Sequence, residues 1–456
     1  MACLALRRLF APFTRWSLAV LLFWASALPV RAIQPQRATQ VADPWLRVLV
    51  WQAASGRIRP ALAAGTLQMR DARGRLLHTF DDQEILQVEA AGGWLLVRQV
   101  QEPQADRWQA RELWFEATAA EAEVESDPGI WLNQHRYRGR LQLRAEAGGL
   151  QVVNHLRLET YLPSVVGSEM PPSWPLEALQ AQAVAARTYA LRARKPAAPF
   201  DLQATTASQV YKGVESETAS TRSAVQGTRG LVLTYNNALI EAVFHSSSSA
   251  GSTENSGDLW SKQLPYLVSV PDFDEQSPVH EWRQPLDQAL LRRAFPELGG
   301  AFGIDVISTT PTGRVRQARV VGPSGQLALS GAQLRSRLGL KSTWVRFELA
   351  ATGGSDLLIA RPDGFPALLP PPPLPAFTLP KPVRPRGEVV QLVAVGRGYG
   401  HGVGMSQWGA MALAQKGEPF EAILKHYYRG VTVRAYNDLA RASEPARPAK
   451  PLAVAR

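Results

Sequence analysis

A single glutamate in apolar surroundings is the first candidate for chemistry in this sequence. Glu169 lies between Gly167 and a Met-Pro-Pro segment in "GSEMPPSW" (167–174). Apolar neighbours that exclude water raise the pKa of a carboxyl group, which can then act as a general acid. The alternative is a surface glutamate that the dipole of a following helix favours. The residue types alone leave both interpretations open.

An arginine inside a predicted helix is the second candidate. "WPLEALQAQAVAARTYALRAR" predicts a helix to about Arg194, with Pro175 in the first turn and alanine-rich sequence after it. Arg187 lies within this helix, where an unpaired buried charge is costly. It therefore needs a partner. Glu169 and a ligand carboxylate are the candidates, and a solvent-exposed arginine is the alternative.

A histidine followed by four serines predicts a polar loop. In "FHSSSSAGSTEN" (244–255), His245 ends a predicted strand, and Ser246 and Ser247 open a loop rich in hydroxyl groups. Such a loop offers hydrogen-bond donors to a sugar or a phosphate. A solvated loop without a ligand is the alternative interpretation.

Glycine occupies every second position at the start of "GRGYGHGVGMSQWG" (396–409). In an extended strand, alternate residues face opposite sides, so one face would be bare backbone and the other would carry Tyr399 and His401. The period of two does not fit a nucleotide-binding fingerprint. It predicts either a strand that packs closely on its neighbour or a strand whose backbone a ligand approaches.

Several kinds of active site are disfavoured by residues that are absent. The one cysteine, Cys3, lies in the N-terminal segment, so the rest of the chain has no disulfide, thiol nucleophile or thiolate metal site. No two histidines have metal-ligand spacing, and Ser406 lacks the second glycine of a nucleophile elbow. We therefore predict no metal and no cofactor. No carboxylate pair stands out as a two-acid glycosidase site, although sequence spacing does not exclude one.

The N-terminus predicts export. Residues 1–32 combine arginines with the apolar run 17–28 and a cleavage point after Ala32, which is typical of a secretory signal; an uncleaved anchor is the second interpretation. Removing the four arginines of this segment lowers the formal net charge of +11 to +7. That charge suits an acidic extracytoplasmic polymer such as cell wall, and an arginine-rich genome explains it equally well. We predict a location in the periplasm or cell wall, with membrane contact only if the leader is retained.

The pattern of the remaining chain predicts an α+β fold. Short alternating runs over 45–125 predict a small β-rich N-terminal module. Residues 130–435 are predicted to form the main domain, β-rich with the long helix after the glutamate. "ARPDGFPALLPPPPLPAFTLPKPVRPR" (360–386) predicts an extended proline-rich insertion, and 437–456 a disordered basic tail.

Four motifs occur in the order seen in the stage II sporulation protein D family, which includes the amidase enhancers, and the chain resembles that family over about 130–435. The motifs are "YLPSVVGSEMPPSWPLEALQAQAVAARTYAL", "FHSSSSAGSTEN", "LPYLVSVPD" and "GRGYGHGVGMSQWGA". The resemblance implies a lytic transglycosylase that acts on the glycan strands of peptidoglycan. In some members only strands stripped of stem peptides are cut.

The resemblance also assigns residues. The glutamate of "EMP" corresponds to Glu169, which is implied to be catalytic: protonated, it donates to the glycosidic oxygen between N-acetylmuramic acid and N-acetylglucosamine. The muramic 6-hydroxyl then attacks the anomeric carbon and leaves a 1,6-anhydro end. The predicted substrate-binding residues are Arg187, His245, Ser246, Ser247, Tyr266, Tyr399, His401 and Gln407.

One departure from the family concerns metal. Some sporulation members are thought to hold zinc with one histidine and two cysteines, and this chain has no cysteine after Cys3, so that site cannot exist here in its usual form. The leading hypothesis is an exported lytic transglycosylase. Its rival is a non-catalytic, wall-binding activator of a peptidoglycan amidase. The predicted partners are peptidoglycan glycan strands and, for the rival, an amidase; no nucleic-acid partner is predicted.

Overall fold

The computed structural model describes residues 43–60, 65–102, 107–118, 129–260, 262–352 and 389–443. The predicted leader (1–32) and the proline-rich insertion (360–386) lie outside these ranges. Within them, no helix is both long enough and apolar enough to cross a membrane.

Alternating residues between 45 and 157 form strands, as the sequence predicts. In β2, for example, Ile58 is buried between the exposed side chains of Arg57 and Arg59. The strands are β1 (Trp45–Ala53), β2 (Ser55–Pro60), β3 (Thr66–Asp71), β4 (Leu76–Phe80), β5 (Leu86–Ala91), β6 (Trp94–Gln99), β7 (Arg107–Ala110), β8 (Glu112–Thr118), β9 (Ile130–Leu132), β10 (His135–Tyr137), β11 (Arg140–Glu146) and β12 (Gly149–Arg157).

These strands form two sheets that share one apolar core. With β13 (Leu202–Gln203), the seven-stranded sheet has the order β13-β1-β12-β11-β8-β3-β4, and the six-stranded sheet has the order β10-β9-β2-β5-β6-β7. The predicted boundary between a module at 45–125 and a domain at 130–435 is wrong, because β1 pairs with β12 and β11 pairs with β8. Alternation predicts that a segment is a strand but not which strand it pairs with.

Two helices follow the sheets. Helix α1 (Leu158–Glu169) ends at the candidate glutamate, and α2 (Leu176–Ala193) confirms the predicted long helix, which starts directly after Pro175. Most residues of α2 are buried. Because an alanine-rich helix presents little side-chain bulk, its neighbours can pack closely around it.

The next elements pack around α2. In the sequence they come in two groups, one before and one after the segment that forms a second core. Asn236 and Asn237 both have positive φ, 47° and 60°, and connect β14 to β15 as the predicted tight turn. The elements of this region are α3 (Ala219–Gly227), β14 (Leu231–Tyr235), β15 (Ala238–Leu239), β16 (Phe244–His245), α4 (Ser256–Leu259), β23 (Met405–Ser406), α7 (Gln407–Gln415), α8 (Phe420–Tyr427), β24 (Thr432–Ala435) and α9 (Tyr436–Ser443).

A second hydrophobic core lies between the serine-rich loop and the glycine-rich segment in the chain, and the sequence did not reveal it. Its largest members include Trp282 and Phe295. Thr352, at the end of one strand, pairs with Val389, at the start of the next, so the two residues that flank 353–388 are adjacent. The elements are β17 (Glu281–Leu286), α5 (Gln288–Ala294), β18 (Gly303–Thr309), β19 (Val315–Gly322), β20 (Gly325–Ser330), α6 (Gly331–Leu338), β21 (Val345–Thr352) and β22 (Val389–Arg397).

The fold is therefore a mixture of helices and several sheets, in agreement with the predicted α+β class. The predicted disordered tail is wrong for its first residues, since α9 continues to Ser443. Tyr436 and Leu439 pack against the main core, which gives this short polar segment an apolar anchor. The rest of the tail lies outside the described residues.

Candidate active site

The glycine-rich segment leaves the second core and returns to the first, and it is not the extended strand that the alternation predicts. Strand β22 ends at Arg397, and the four following glycines have φ values between 68° and 109°. Side chains other than glycine avoid this region of φ. Glycine therefore alternates here because every second residue needs a positive φ where the segment packs closely against its neighbours. These glycines are Gly398, Gly400, Gly402 and Gly404.

Each of these glycines lies against a neighbour that leaves no room for a side chain. A Cβ atom on Gly402 would lie 2.5 Å from the Arg314 guanidinium carbon, and one on Gly400 would lie 2.7 Å from the His245 Cβ. Arg314 is fully buried, pairs with Glu254 at 3.2 Å and donates to the backbone oxygen of Gly400. The segment is thus held at the junction of both cores by a buried ion pair.

We expect Gly402→Ala to lower the free energy of unfolding by about 3–4 kcal/mol, since an unfavourable φ and a clash with a buried guanidinium add together. Gly74→Ala is the matched control, because its φ of 82° is close to the 84° of Gly402 but no atom lies within 4 Å of the new methyl group. The control should cost only about 1 kcal/mol. Urea unfolding followed by tryptophan fluorescence gives both values, and equal losses would contradict the packing argument.

The two histidines of the motifs meet under this segment. Their ring centroids are 5.5 Å apart. The His245 Nδ1 lies 3.2 Å from the Val403 carbonyl oxygen and its Nε2 lies 2.9 Å from the Ser248 hydroxyl, while the backbone N–H of Val403 donates to the His401 Nδ1 at 3.1 Å. Both partner sets suit neutral imidazole.

Burial keeps these imidazoles uncharged. Desolvation, with smaller contributions from Arg314 and Arg335, lowers the pKa of His401 to about 4. Desolvation also lowers the pKa of His245 well below its usual value, and the neighbouring His401 and Arg314 add to the effect. Neither ring is therefore set up as a proton donor near neutral pH, and both are better suited to positioning and hydrogen bonding.

These lowered pKa values predict a loss of stability in acid. The unfolded chain takes up protons on histidine below about pH 6.5, whereas folded His401 resists protonation until about pH 4, so the free energy of unfolding falls as the pH decreases through this window. We expect His401→Asn to remove roughly 1–3 kcal/mol of this decline. The exposed His135→Asn serves as the control. Unfolding curves at several pH values between the two limits measure the slopes, and equal slopes for both variants would refute the assignment.

Glu169 lies at the C-terminal end of α1 and is held by two other elements. The backbone N–H of Val210 donates to its Oε1 at 2.8 Å, and the side-chain amide of Gln407 donates to its Oε2 at 3.2 Å. Gln407 is the first residue of α7, where the Ser406 hydroxyl accepts from the Gly409 N–H and caps the helix. The last motif of the sequence thus reaches the glutamate of the first.

Desolvation is the dominant influence on this carboxyl group. It raises the pKa of Glu169, while the hydrogen bonds from Val210 and Gln407 and the charge of Lys212 oppose the shift. The protonated carboxyl is therefore populated at higher pH than that of an ordinary glutamate, which suits a general acid.

Glu169 opens into a cavity of about 640 Å³, which adjoins a second one of about 1170 Å³. The two share Thr206, Trp260, Arg335, Tyr399 and His401 as lining residues, so they form one groove, which we call the cleft. The combined volume of this groove exceeds that of a usual pocket for one small molecule and leaves room for several units of a polymer.

Six of the nine predicted site residues line the cleft cavity that contains Glu169. They are Glu169 itself, His245, Ser246, Tyr399, His401 and Gln407. Tyr399 has the most exposed of these side chains with 47% of its surface accessible. Three of the four motifs, separated by up to 238 residues, are thereby represented at one place, whereas the motif containing Tyr266 contributes no lining residue.

The other three predicted residues do not reach the cleft. Arg187 is fully buried and forms a bidentate pair with Glu159, with N–O distances of 2.8 and 2.9 Å, so its partner is neither Glu169 nor a ligand. The Tyr266 hydroxyl accepts from the Glu241 N–H inside the main core, and Ser247 is buried against Ser277. Other protein groups cover these three side chains, so their predicted contact with substrate stays a prediction to which the cleft adds no support.

Several cleft residues were missed by sequence reasoning. The Trp260 indole lies 5.9 Å from the His401 ring between centroids and is half-buried, as a sugar-stacking side chain would be. Lys212, Glu241 and Arg335 add charge to the lining. The only signal for Trp260 was its position five residues after the serine-rich motif, whereas Arg335 comes from the second core.

Among the described residues, no cluster of three or more His, Cys, Asp or Glu side chains could hold a metal ion. The cleft instead offers one carboxyl group with a raised pKa, several hydroxyl groups and two aromatic faces. Those groups can donate a proton to a bound polymer and hold sugar rings.

The fold and the cleft thus define an α+β protein with a large groove, in which one carboxyl group, that of Glu169, has a raised pKa. Comparison with known proteins then identifies the family. A family model described as "Stage II sporulation protein" matches residues 146–235. The stage II sporulation protein D of Bacillus subtilis is 30% identical over 341 residues, which cover 69% of this chain and 87% of that protein. The stage II sporulation protein D of Bacillus amyloliquefaciens is 33% identical over 307 residues, 62% of this chain and 75% of that protein.

This chain belongs to the stage II sporulation protein D family. A Bacillus subtilis protein named amidase enhancer is also similar, 34% identical over 292 residues, which cover 60% of this chain but only 40% of that longer protein.

Proposed function

We propose that this protein is an exported lytic transglycosylase that cuts the glycan strands of peptidoglycan, with Glu169 as acid and then base. The observation that carries the proposal is the position of Glu169: its carboxyl opens into a polymer-sized cleft, and burial raises its pKa. The resemblance of the motifs supplies the substrate class.

The chemistry needs only one carboxyl group. Protonated Glu169 donates its proton to the glycosidic oxygen as the bond between the N-acetylmuramic C1 and that oxygen breaks. The resulting carboxylate then accepts the proton of the muramic 6-hydroxyl, whose oxygen forms the new bond to C1 and closes the 1,6-anhydro ring. Donor and acceptor are the same group, so the enzyme ends the cycle protonated.

The other cleft residues have supporting roles in this proposal. Gln407 and Val210 hold both carboxyl oxygens, which leaves the group little freedom to turn away from the bond. Tyr399 and Trp260 offer faces to sugar rings, and Arg335 offers a cation to the lactyl or peptide carboxylates of the strand.

A non-catalytic role is the second candidate, because one similar protein is named amidase enhancer. In that case the cleft would bind glycan without cutting it, and an amidase would be the partner. Glycan strands with and without stem peptides, incubated with the purified protein, separate the two roles by mass spectrometry. New 1,6-anhydro ends support the transglycosylase; intact strands, with a stimulated amidase in a parallel assay, support the activator.

A further inference from the structure

A second concave surface lies on the outer face of the six-stranded sheet. Strands β2, β5 and β9 build a groove of about 580 Å³, which shares no lining residue with the cleft. We call it the Trp–Arg groove. Its main side chains are Trp51, Arg57, Arg59, Gln87, Trp131 and Asn133.

The aromatic rings of this groove are already held in place. The Trp131 indole lies between two guanidinium groups, with the Arg59 carbon 4.8 Å and the Arg136 carbon 5.7 Å from its centroid. The Trp51 ring is 36% exposed, and its N–H donates to the Ser55 carbonyl oxygen at 2.9 Å. Exposed rings with fixed orientation can bind flat apolar faces, such as those of sugars, at a small entropic cost.

The polar groups that remain available in the groove are donors. Arg57 and Arg59 are exposed, and neither forms an ion pair within the described part of the chain. The Asn133 Oδ1 accepts from the Arg57 backbone N–H, and the Arg57 Nε donates to the uncharged Gln87 side chain at 3.2 Å. Exposed guanidinium groups that no carboxylate neutralises suit a ligand that carries carboxylates.

The sheet register extends this basic surface beyond the groove. Across neighbouring strands, Arg57 pairs in register with Gln87, Gln87 with Arg98, and Arg98 with Arg107. On the other side, Arg59 is in register with Trp131, and Trp131 with Arg136. Side chains in one cross-strand row share a face. These rows cross all six strands, about 24 Å at the usual strand spacing, and carry arginines on four of them. Arg98 and Arg136 are ion-paired with Glu89 and Glu215, so Arg57 and Arg59 are the arginines that the groove offers to a ligand.

We infer that this face is a second binding surface, which takes an acidic, carboxylate-bearing polysaccharide and holds the protein on the polymer that its cleft cuts. The exposed Trp51 ring binds a sugar face, and the exposed Arg57 and Arg59, which form no ion pair in the described part of the chain, bind carboxylates along the strand. The inference rests on the proposed function only for the identity of the polymer, since the surface itself is independent of catalysis.

Co-sedimentation with purified peptidoglycan sacculi tests this surface. The protein carries Glu169→Gln throughout, so that cutting does not disturb the binding measurement. We expect Arg57→Glu/Arg59→Glu to raise the Kd for sacculi at least tenfold, and added salt to weaken the binding of the parent more than that of this variant. Arg292→Glu/Arg293→Glu is the control: it makes the same change in net charge at two exposed positions of α5 and should shift the Kd less than twofold.

Two further probes fix the ligand class. Chitin has the same sugar backbone without carboxylates, and we expect it to bind at least tenfold more weakly than sacculi. Equal Kd values of the two charge-reversed variants for sacculi would overturn the proposed binding surface. Chitin binding as tight as sacculi would overturn the requirement for carboxylates. Single-stranded DNA binding as tight as sacculi would overturn the assignment to a polysaccharide. A protein that binds sacculi through this face but never cuts glycan would refute the proposed function and leave this inference standing.

Discussion

Glu169→Gln is expected to lower the rate of glycan cleavage at least about 10³-fold, because the amide cannot deliver a proton to the glycosidic oxygen. The change keeps the size of the side chain and its ability to accept from the Val210 N–H. Glu241→Gln is the matched control: its carboxyl lines the same cavity but pairs with Arg192 at 3.9 Å. The cleavage rate of the control should fall less than about tenfold. Initial rates on soluble glycan fragments measure the effect of both variants.

The same variant is expected to be more stable than the parent protein at neutral pH, although it is less active. Burial raises the pKa of Glu169, so the folded protein binds this proton more tightly than the unfolded chain does. Stability from this group is present at low pH and is lost as the pH rises through the raised pKa. Glu169→Gln should therefore unfold at a higher urea concentration than the parent at neutral pH. A variant that lost activity because it was misfolded would show the reverse, which separates the two explanations.

The raised pKa also predicts the pH profile of the reaction. The acid form of Glu169 is needed first, so kcat/KM should fall on the alkaline side with an apparent pKa above the usual range of a glutamate. This limb belongs to the free enzyme, and it would be absent if proton donation were not required.

Arg187→Met is expected to have the largest effect on stability, a loss of about 3–5 kcal/mol. Removing the guanidinium leaves the Glu159 carboxylate buried, with the Gly230 N–H at 3.4 Å as its remaining hydrogen-bond donor among the described residues. The arginine also donates to the backbone oxygens of Leu231 and Val225, and so ties α2 to α3 and β14. Denaturant unfolding measures the loss, and Arg194→Met, an exposed change at the end of the same helix, is the control.

Activity distinguishes this structural role from the substrate-binding role that the motif implied. Glu159 lies in the first turn of α1 and Glu169 ends this helix, so the ion pair holds the helix that carries the proposed catalytic glutamate. Activity per folded molecule of Arg187→Met should therefore stay within about threefold of the parent where both are folded. A stable variant with a strongly raised KM would instead place Arg187 in contact with the substrate.

The sequence predicted the helix, the tight turn and the desolvated carboxyl group, because each rests on local chemistry. Alanine-rich sequence after Pro175 defines α2, Asn236 and Asn237 define a turn, and the apolar residues after Glu169 indicate a desolvated carboxyl. The resemblance of four motifs added that distant residues belong to one site. Six predicted residues do line the cleft.

What the sequence could not supply is pairing between distant residues. The sequence did not identify Glu159 as the partner of Arg187, because the two residues are 28 positions apart and no local pattern connects them. The same limit hid the pairing of β1 with β12 and the second core that brings Arg335 to the cleft. The alternating glycines suggested a strand because side chains in a strand alternate with a period of two. In the structure, a different neighbouring group leaves no room for a Cβ atom at each glycine.

One measurement tests the central claim most directly: digestion of purified glycan strands in heavy-oxygen water, followed by mass spectrometry of the new ends. If the muramic 6-hydroxyl is the nucleophile and Glu169 the acid, the products of the parent protein carry 1,6-anhydro ends without heavy oxygen, and Glu169→Gln forms almost none. New reducing N-acetylmuramic ends that contain one heavy oxygen would show that water attacks C1, with Glu241 as the second carboxyl in the cavity, and would contradict the single-carboxyl mechanism.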